Sequence, residues 1–228
     1  MARRSVESAL AGGLAAALHD GHVPARDAVR AHAARLREAW GELPDAAALQ
    51  DAPDTPGWAR GLAPAARLYV AEVTALWRAL VAADAPARPW RTALPDTVAP
   101  LVGWLLDPPR DVKDALQAAR RAWGPCPDPY ADVAQGVLVG LLPASHRHAI
   151  GLHPTPEWMA RRVVTWLGDE PAAGMLDPAC GTGVFLLAWL RAAAERGGTS
   201  VQVTGVETSP LIAAAARVAA ERAAAAIG

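Results

Sequence analysis

The sequence predicts an α/β protein: an all-helical N-terminal domain, residues 1–125, followed at 126–228 by an incomplete α/β sheet of two parallel strands with flanking helices. Three observations predict it. Apolar residues recur at helical spacing through the first half. After residue 126 the order becomes helix, strand, helix, strand, helix, which opens a parallel sheet. A glycine-rich turn follows the first of those strands, where such sheets place their ligands.

In the first half, Val6, Leu10, Leu14 and Leu18 share one helical face. That face is a better reading of the N-terminus than a secretory leader, because Glu7 and the many Ala and Gly interrupt any apolar run. Val29, Ala33, Leu36 and Trp40 form a second stripe, Tyr69, Val73, Leu76, Trp77 and Leu80 a third, and Val112, Leu116, Ala119 and Trp123 a fourth. Leu43-Pro-Asp, Asp51 to Gly57, Ala85-Pro-Ala-Arg-Pro and Asp107-Pro-Pro read as loops, since proline removes a donor and biases its predecessor away from helix. Trp40, Trp58, Trp77, Trp90, Trp104 and Trp123 sit at helical spacing and read as core rather than as a base-stacking surface.

Gly124-Pro-Cys-Pro-Asp-Pro reads as the linker between the two regions. Tyr130 to Leu142 then predicts a buried helix ended by Pro143. Thr155-Pro156 predicts the start of another, with a capping hydroxyl and a proline in the first helical position, and with Trp158, Met159, Val163 and Trp166 on its buried side. Gly174-Met-Leu-Asp is the first strand, Val184 to Glu195 an apolar helix ended by Gly197-Gly198, Val201 to Glu207 the second strand, and Pro210 to about Ala226 the last helix.

Composition limits the function classes. The net charge of −1 gives no global attraction to phosphate, so contact with nucleic acid requires a local patch or another domain. No stretch approaches the ~20 apolar residues of a membrane span. Cys126 and Cys180 lie far apart without metal-ligand spacing, so neither a disulfide framework nor a metal site is expected, and a reducing cytoplasm fits. His146, His148 and His153 cluster in sequence but lack a carboxylate partner and read as solvated or capping histidines. Arg147, Arg161 and Arg162 read as a wet helix face.

The chemistry concentrates in Asp177-Pro-Ala-Cys-Gly-Thr-Gly-Val-Phe185. Gly181 and Gly183 permit tight backbone values and close approach of a ligand, while the following helix offers free N–H groups. About 30 residues on, Glu207 closes the second strand, where sheets of this type use an acid to accept hydrogen bonds from ribose hydroxyls. Together they fit an adenosine-containing cofactor. The third glycine of the dinucleotide fingerprint is missing.

Asp177-Pro-Ala-Cys-Gly-Thr-Gly-Val-Phe-Leu resembles motif I of adenine-N6 DNA methyltransferases. Arg147 to Pro156 resembles the motif that precedes it, usually ending Tyr-Thr-Pro, with Pro154 in place of the tyrosine. Val203-Thr-Gly-Val-Glu-Thr-Ser-Pro210 resembles motif II. The resemblance covers residues from about 128 onward and implies a Rossmann-like fold that binds S-adenosylmethionine. By that resemblance Thr155, supported by the helix start at Pro156, would meet the methionine carboxylate. Asp177, Pro178, Ala179, Cys180, Gly181 and Gly183 would form the pocket floor, with Phe185 as buttress. Glu207 would hold the ribose diol and Thr208 would lie beside the adenine.

In that family a later Asn/Asp-Pro-Pro-Tyr/Phe motif holds the flipped adenine, and no such tetrapeptide occurs between Gly183 and Gly228. No catalytic residue is therefore assigned. The expectation is a cofactor-binding portion of a DNA methyltransferase, inactive alone, with DNA bound through other regions and a second polypeptide as a candidate to complete the fold. The alternatives are a non-catalytic interaction subunit of a restriction or phage-defence assembly, and part of an RNA methyltransferase.

Overall fold

The computed structural model describes residues 2–40, 55–84, 94–167, 174–198 and 201–227. The loops expected at Leu43-Pro-Asp and Ala85 to Pro89, together with Trp90, lie outside the described residues, as does the side chain of Trp40.

The chain is mostly helical, with two parallel strands in one sheet. Helices α1 (Ala2–His19) and α2 (Val23–Trp40) meet at Gly21, whose φ of +81° turns the chain. After a short turn at Gly57–Ala59 comes α3 (Pro64–Ala82), started by a proline in its first turn. The short α4 (Ala99–Val102) and then α5 (Arg110–Trp123) complete the first half.

Helix α3 is buried on nearly every side, from Ala66 through Ala82 with few exceptions, because α1, α2, α6 and α10 all pack around it. Tyr69 ties this core together. Its hydroxyl donates to the Leu101 carbonyl at 2.6 Å and receives the Trp104 indole N–H at 2.7 Å. Trp58, Trp77 and Trp123 lie against the same core, and Trp77 donates to the Leu116 carbonyl at 3.3 Å. The tryptophans whose side chains are described in this half thus pack.

Helix α6 (Val133–Leu141) is shorter than expected, because the Asp132 carboxylate caps it by accepting from the Gln135 N–H at 3.0 Å. A one-and-a-half-turn helix, α7 (Ala144–Ala149), follows Pro143, and α8 runs over Glu157–Trp166. Strand β1 (Gly174–Asp177) pairs in parallel with β2 (Gln202–Gly205), Asp177 opposite Gly205. Between them lies α9 (Val184–Glu195), and α10 (Pro210–Ala224) closes the chain.

One face of the sheet, carrying Met175 and Val203, rests on α9, with α8 and α10 to either side of that helix. The opposite face carries Leu176, 64% exposed, and Thr204. Among the described residues each strand has one neighbour, so both sheet edges are open.

Two expectations about α8 are corrected. Thr155 does not cap it: Pro156 is extended and is itself the cap residue, the helix begins at Glu157, and no side chain closes its N-terminus. Nor do Trp158, Met159 and Trp166 form its buried side, being 68%, 41% and 70% exposed. Ala160 and Val164 face α9 instead, because these smaller residues let the two helices approach closely.

The segment expected as a linker is pinned. Cys126 N–H donates to the Ala82 carbonyl, Arg222 of α10 donates to the Pro129 and Ala131 carbonyls, and Arg191 of α9 meets Asp128 while lying over the Tyr130 ring. Leu211, Ile212, Ala214, Ala215 and Val218 of α10 belong to the same apolar cluster as α1, α3 and α5. One core therefore spans both sides of residue 125.

Candidate functional site

The site is made where the two parallel strands end. After Asp177 the chain turns through Pro178 to Thr182, and after Gly205 through Val206 to Ser209. Two backbone hydrogen bonds join these turns: Val206 N–H to the Asp177 carbonyl at 2.9 Å, and Cys180 N–H to the Val206 carbonyl at 3.0 Å. They hold Asp177 and Glu207 on adjacent turns. Asp177 accepts from the Ala179 N–H at 3.0 Å and Glu207 Oε1 from the Ser209 N–H at 2.8 Å, so each acid stiffens its own turn. The second strand ends at Gly205, and Glu207 stands two residues beyond it.

The two glycines of the turn have different tasks. Gly181 has φ +53° and nothing within 4 Å of where a Cβ would stand, which leaves its backbone open to a ligand. Gly183, at φ +99°, is the cap residue of α9, and a Cβ there would meet Ala216 of α10 at 3.4 Å. It serves the packing of α9 on α10 as well as the turn. A glycine that the sequence reading passed over is tighter: a Cβ on Gly205 would lie 2.7 Å from Cys180 Sγ and 2.9 Å from Leu186 Cδ1.

Above these turns is a cavity of about 590 Å³, within the range of small-molecule sites. Thr155, Asp177, Ala179, Cys180, Gly181, Phe185, Glu207 and Thr208 line it, so the structure brings eight of the sequence-predicted residues to one cavity. Pro156, Pro178 and Gly183 do not line it. The sequence reading missed the rest of the lining, above all Leu68 and Glu72 of α3, Gln135 and Leu138 of α6, Thr182, Ser209 and Ile212. The helical half is thus part of the wall.

Helix α6 fastens two sides of this cavity. Gln135 donates to the Thr155 carbonyl at 2.9 Å, and the Asp132 carboxyl accepts from Thr182 Oγ1 at 2.6 Å. One helix start therefore sets the spacing between the Thr155 segment and the glycine turn. Burial pushes the Asp132 carboxyl above its ordinary value, against the hydrogen bonds from Thr182, Gln135 and Ala134.

The electrostatics discriminate between ligands. Glu72, Asp177 and Glu207 line the cavity, and among the described residues neither lysine nor arginine does. A phosphate would meet Asp177 and Glu207 with no lysine or arginine among the described residues to offset them; a ligand with a sulfonium or ammonium group and free hydroxyls would be favoured. Burial, and then the charges of Glu207 and Asp177, push the Cys180 thiol up to about 12, which disfavours its thiolate form.

The histidines divide. His146 is buried rather than solvated, whereas His148 and His153 pack ring to ring at 5.5 Å and His153 reaches the cavity. Arg147 clamps the end of α6 by donating to the Val139 and Leu142 carbonyls. Arg161 and Arg162 lie exposed, Arg162 over the Trp166 ring. Among the described residues no group of three or more His, Cys, Asp or Glu could hold a metal, and no helix is long and apolar enough to cross a membrane. No protein-family model, curated protein or solved structure matches this chain.

Proposed function

We propose that this chain binds S-adenosylmethionine and supplies the cofactor half of an adenine-N6 DNA methyltransferase of Rossmann-like fold. The observation that carries the reading is the acidic cavity at the ends of two parallel strands, without lysine or arginine among the described residues, with the glycine turn, Glu207 and the Thr155 segment all in its lining. Its residues suit that cofactor part by part. Glu207 Oε1 is spent on its own turn, and Oε2 makes no hydrogen bond among the described residues, which leaves an acceptor for a ribose diol. The open backbone at Gly181 admits the ligand closely, and the three acids favour a sulfonium and an α-ammonium group. When bound, the cofactor supplies an electrophilic methyl group; this chain's part is to hold and orient it.

The bare sheet face and open sheet edges support a second element of the reading, that further strands, from DNA-binding regions or a second polypeptide, complete the sheet. The same surfaces suit the alternative of an interaction subunit in a larger assembly.

Calorimetric titration of the purified chain tests the reading. S-adenosylmethionine and S-adenosylhomocysteine should bind, and ATP and NAD should not. Binding of the phosphate-bearing nucleotides in preference would refute it. With S-adenosylmethionine and adenine-containing duplex DNA the chain alone should transfer no methyl group, and turnover would refute its being a partial enzyme.

A further inference from the structure

Glu72 is a carboxylate in the middle of an apolar helix. Its side chain is 4% exposed, and it lies on the face of α3 that also carries Tyr69, Val73 and Leu76. Burying an acidic side chain among apolar ones carries a desolvation cost, so an acid held here is poorly explained by stability alone. Its partners come from two other elements. His32 of α2, fully buried, brings Nε2 to 2.8 Å from Glu72 Oε2, and Ser209, ahead of α10, donates its hydroxyl to the same oxygen at 2.7 Å.

The direction of that second bond is fixed by chemistry. Ser209 Oγ is the donor, so its one proton is spent on Glu72. Its oxygen then faces the start of α10, accepting weakly from the Ile212 N–H at 3.4 Å. The Ser209 backbone N–H donates to Glu207 Oε1 at 2.8 Å. Hydrogen bonds run from Glu72 through Ser209 to Glu207, with the His32 ring close against Glu72, and Glu72, Ser209 and Glu207 all border the cavity.

We infer that Glu72 is a positioning residue for Glu207: by holding Ser209 it sets the turn that presents the Glu207 carboxylate to a ribose diol, so the helical core fixes the grip on the sugar. This rests on the proposed cofactor reading of the cavity. Glu72 acts through Ser209 rather than on the diol itself, and its loss should weaken ligands in proportion to their use of the diol.

The test compares two ligands, S-adenosylhomocysteine and an analogue whose ribose lacks both hydroxyls, on the full chain. Ser209→Ala should weaken the first about fivefold, the scale of one hydrogen-bond link, and leave the second unchanged. Ser209→Thr, which keeps the hydroxyl, should restore the difference. In a Glu207→Gln background, Ser209→Ala should have no further effect, because the path ends at Glu207. Glu72→Gln keeps the side-chain volume and should show a smaller loss confined to the first ligand; it serves as the readout if Ser209→Ala fails to fold. Equal weakening of both ligands, or unchanged binding of both in a folded variant, would overturn the inference while leaving the cavity assignment intact. Failure of the unaltered chain to bind either ligand would overturn both.

Discussion

The helices around α3 and the sheet around β1 are built on opposite terms. Around α3 the described apolar stripes pack against one another, and a polar chain through Tyr69, Trp104 and Leu101 is hydrogen-bonded inside, although His32, Trp58 and Trp123 keep buried ring nitrogens without a hydrogen-bond partner among the described residues. Around β1 the apolar groups outnumber their partners: of the nine large hydrophobic side chains exposed among the described residues, six (Trp158, Met159, Trp166, Leu167, Leu176 and Val206) lie on α8, the strands or the turns beside them. The first region is a finished core. The second leaves apolar side chains exposed among the described residues, and the cavity forms along the seam between them.

The comparison breaks most readily at the shared core. Leu211→Ala, at a fully buried position of α10, should cost about 3 kcal/mol and lower the melting temperature of the whole helical signal. A two-step melt with α1 to α5 unaffected would show the halves to be separate. Gly205→Ala should cost about 2 kcal/mol in urea melts and blunt cofactor binding, because the new methyl would collide with Cys180 and Leu186. Unchanged stability would mean that the turns are looser than described.

Asp132 offers a pH-dependent test. Its carboxyl is raised above the ordinary 3.8 in the folded state, so its contribution is complete below that value and declines as pH rises through the folded value. Asp132→Asn keeps an acceptor for Thr182 and Gln135, and should flatten this fall in denaturation curves recorded from acid to neutral pH. A variant with the same slope as the parent would exclude Asp132 as its source. The smallest effect belongs to the bare sheet face: Leu176→Ser should change stability by no more than about 0.5 kcal/mol in the isolated chain. A larger loss would place a partner over Leu176.

Much of the second half was legible in the sequence, because its punctuation is strong. Gly174, Pro178, Gly183 and Pro210 bracket short elements, and α9 spans the predicted Val184–Glu195. The buried side of α8 was not, since Trp158 and Trp166 carry the apolar pattern of a core face yet stand exposed, while the smaller Ala160 and Val164 meet α9. The cavity wall from α3 was missed for another reason. Glu72 follows Tyr69 by three positions and His32 follows Val29 by three, each placing a polar group on an apolar stripe. Read alone, each stripe shows only an imperfection. The two are complementary, and that pairing was the available signal.

The bond between Ser209 and Glu72 joins residues 137 apart in the chain. Contacts of such separation are entropically late, since the intervening loop must be closed before they repay it. The ligand cavity is therefore among the last features to form as the chain folds. Capture of the proposed nucleoside would report that α10 has docked on α3.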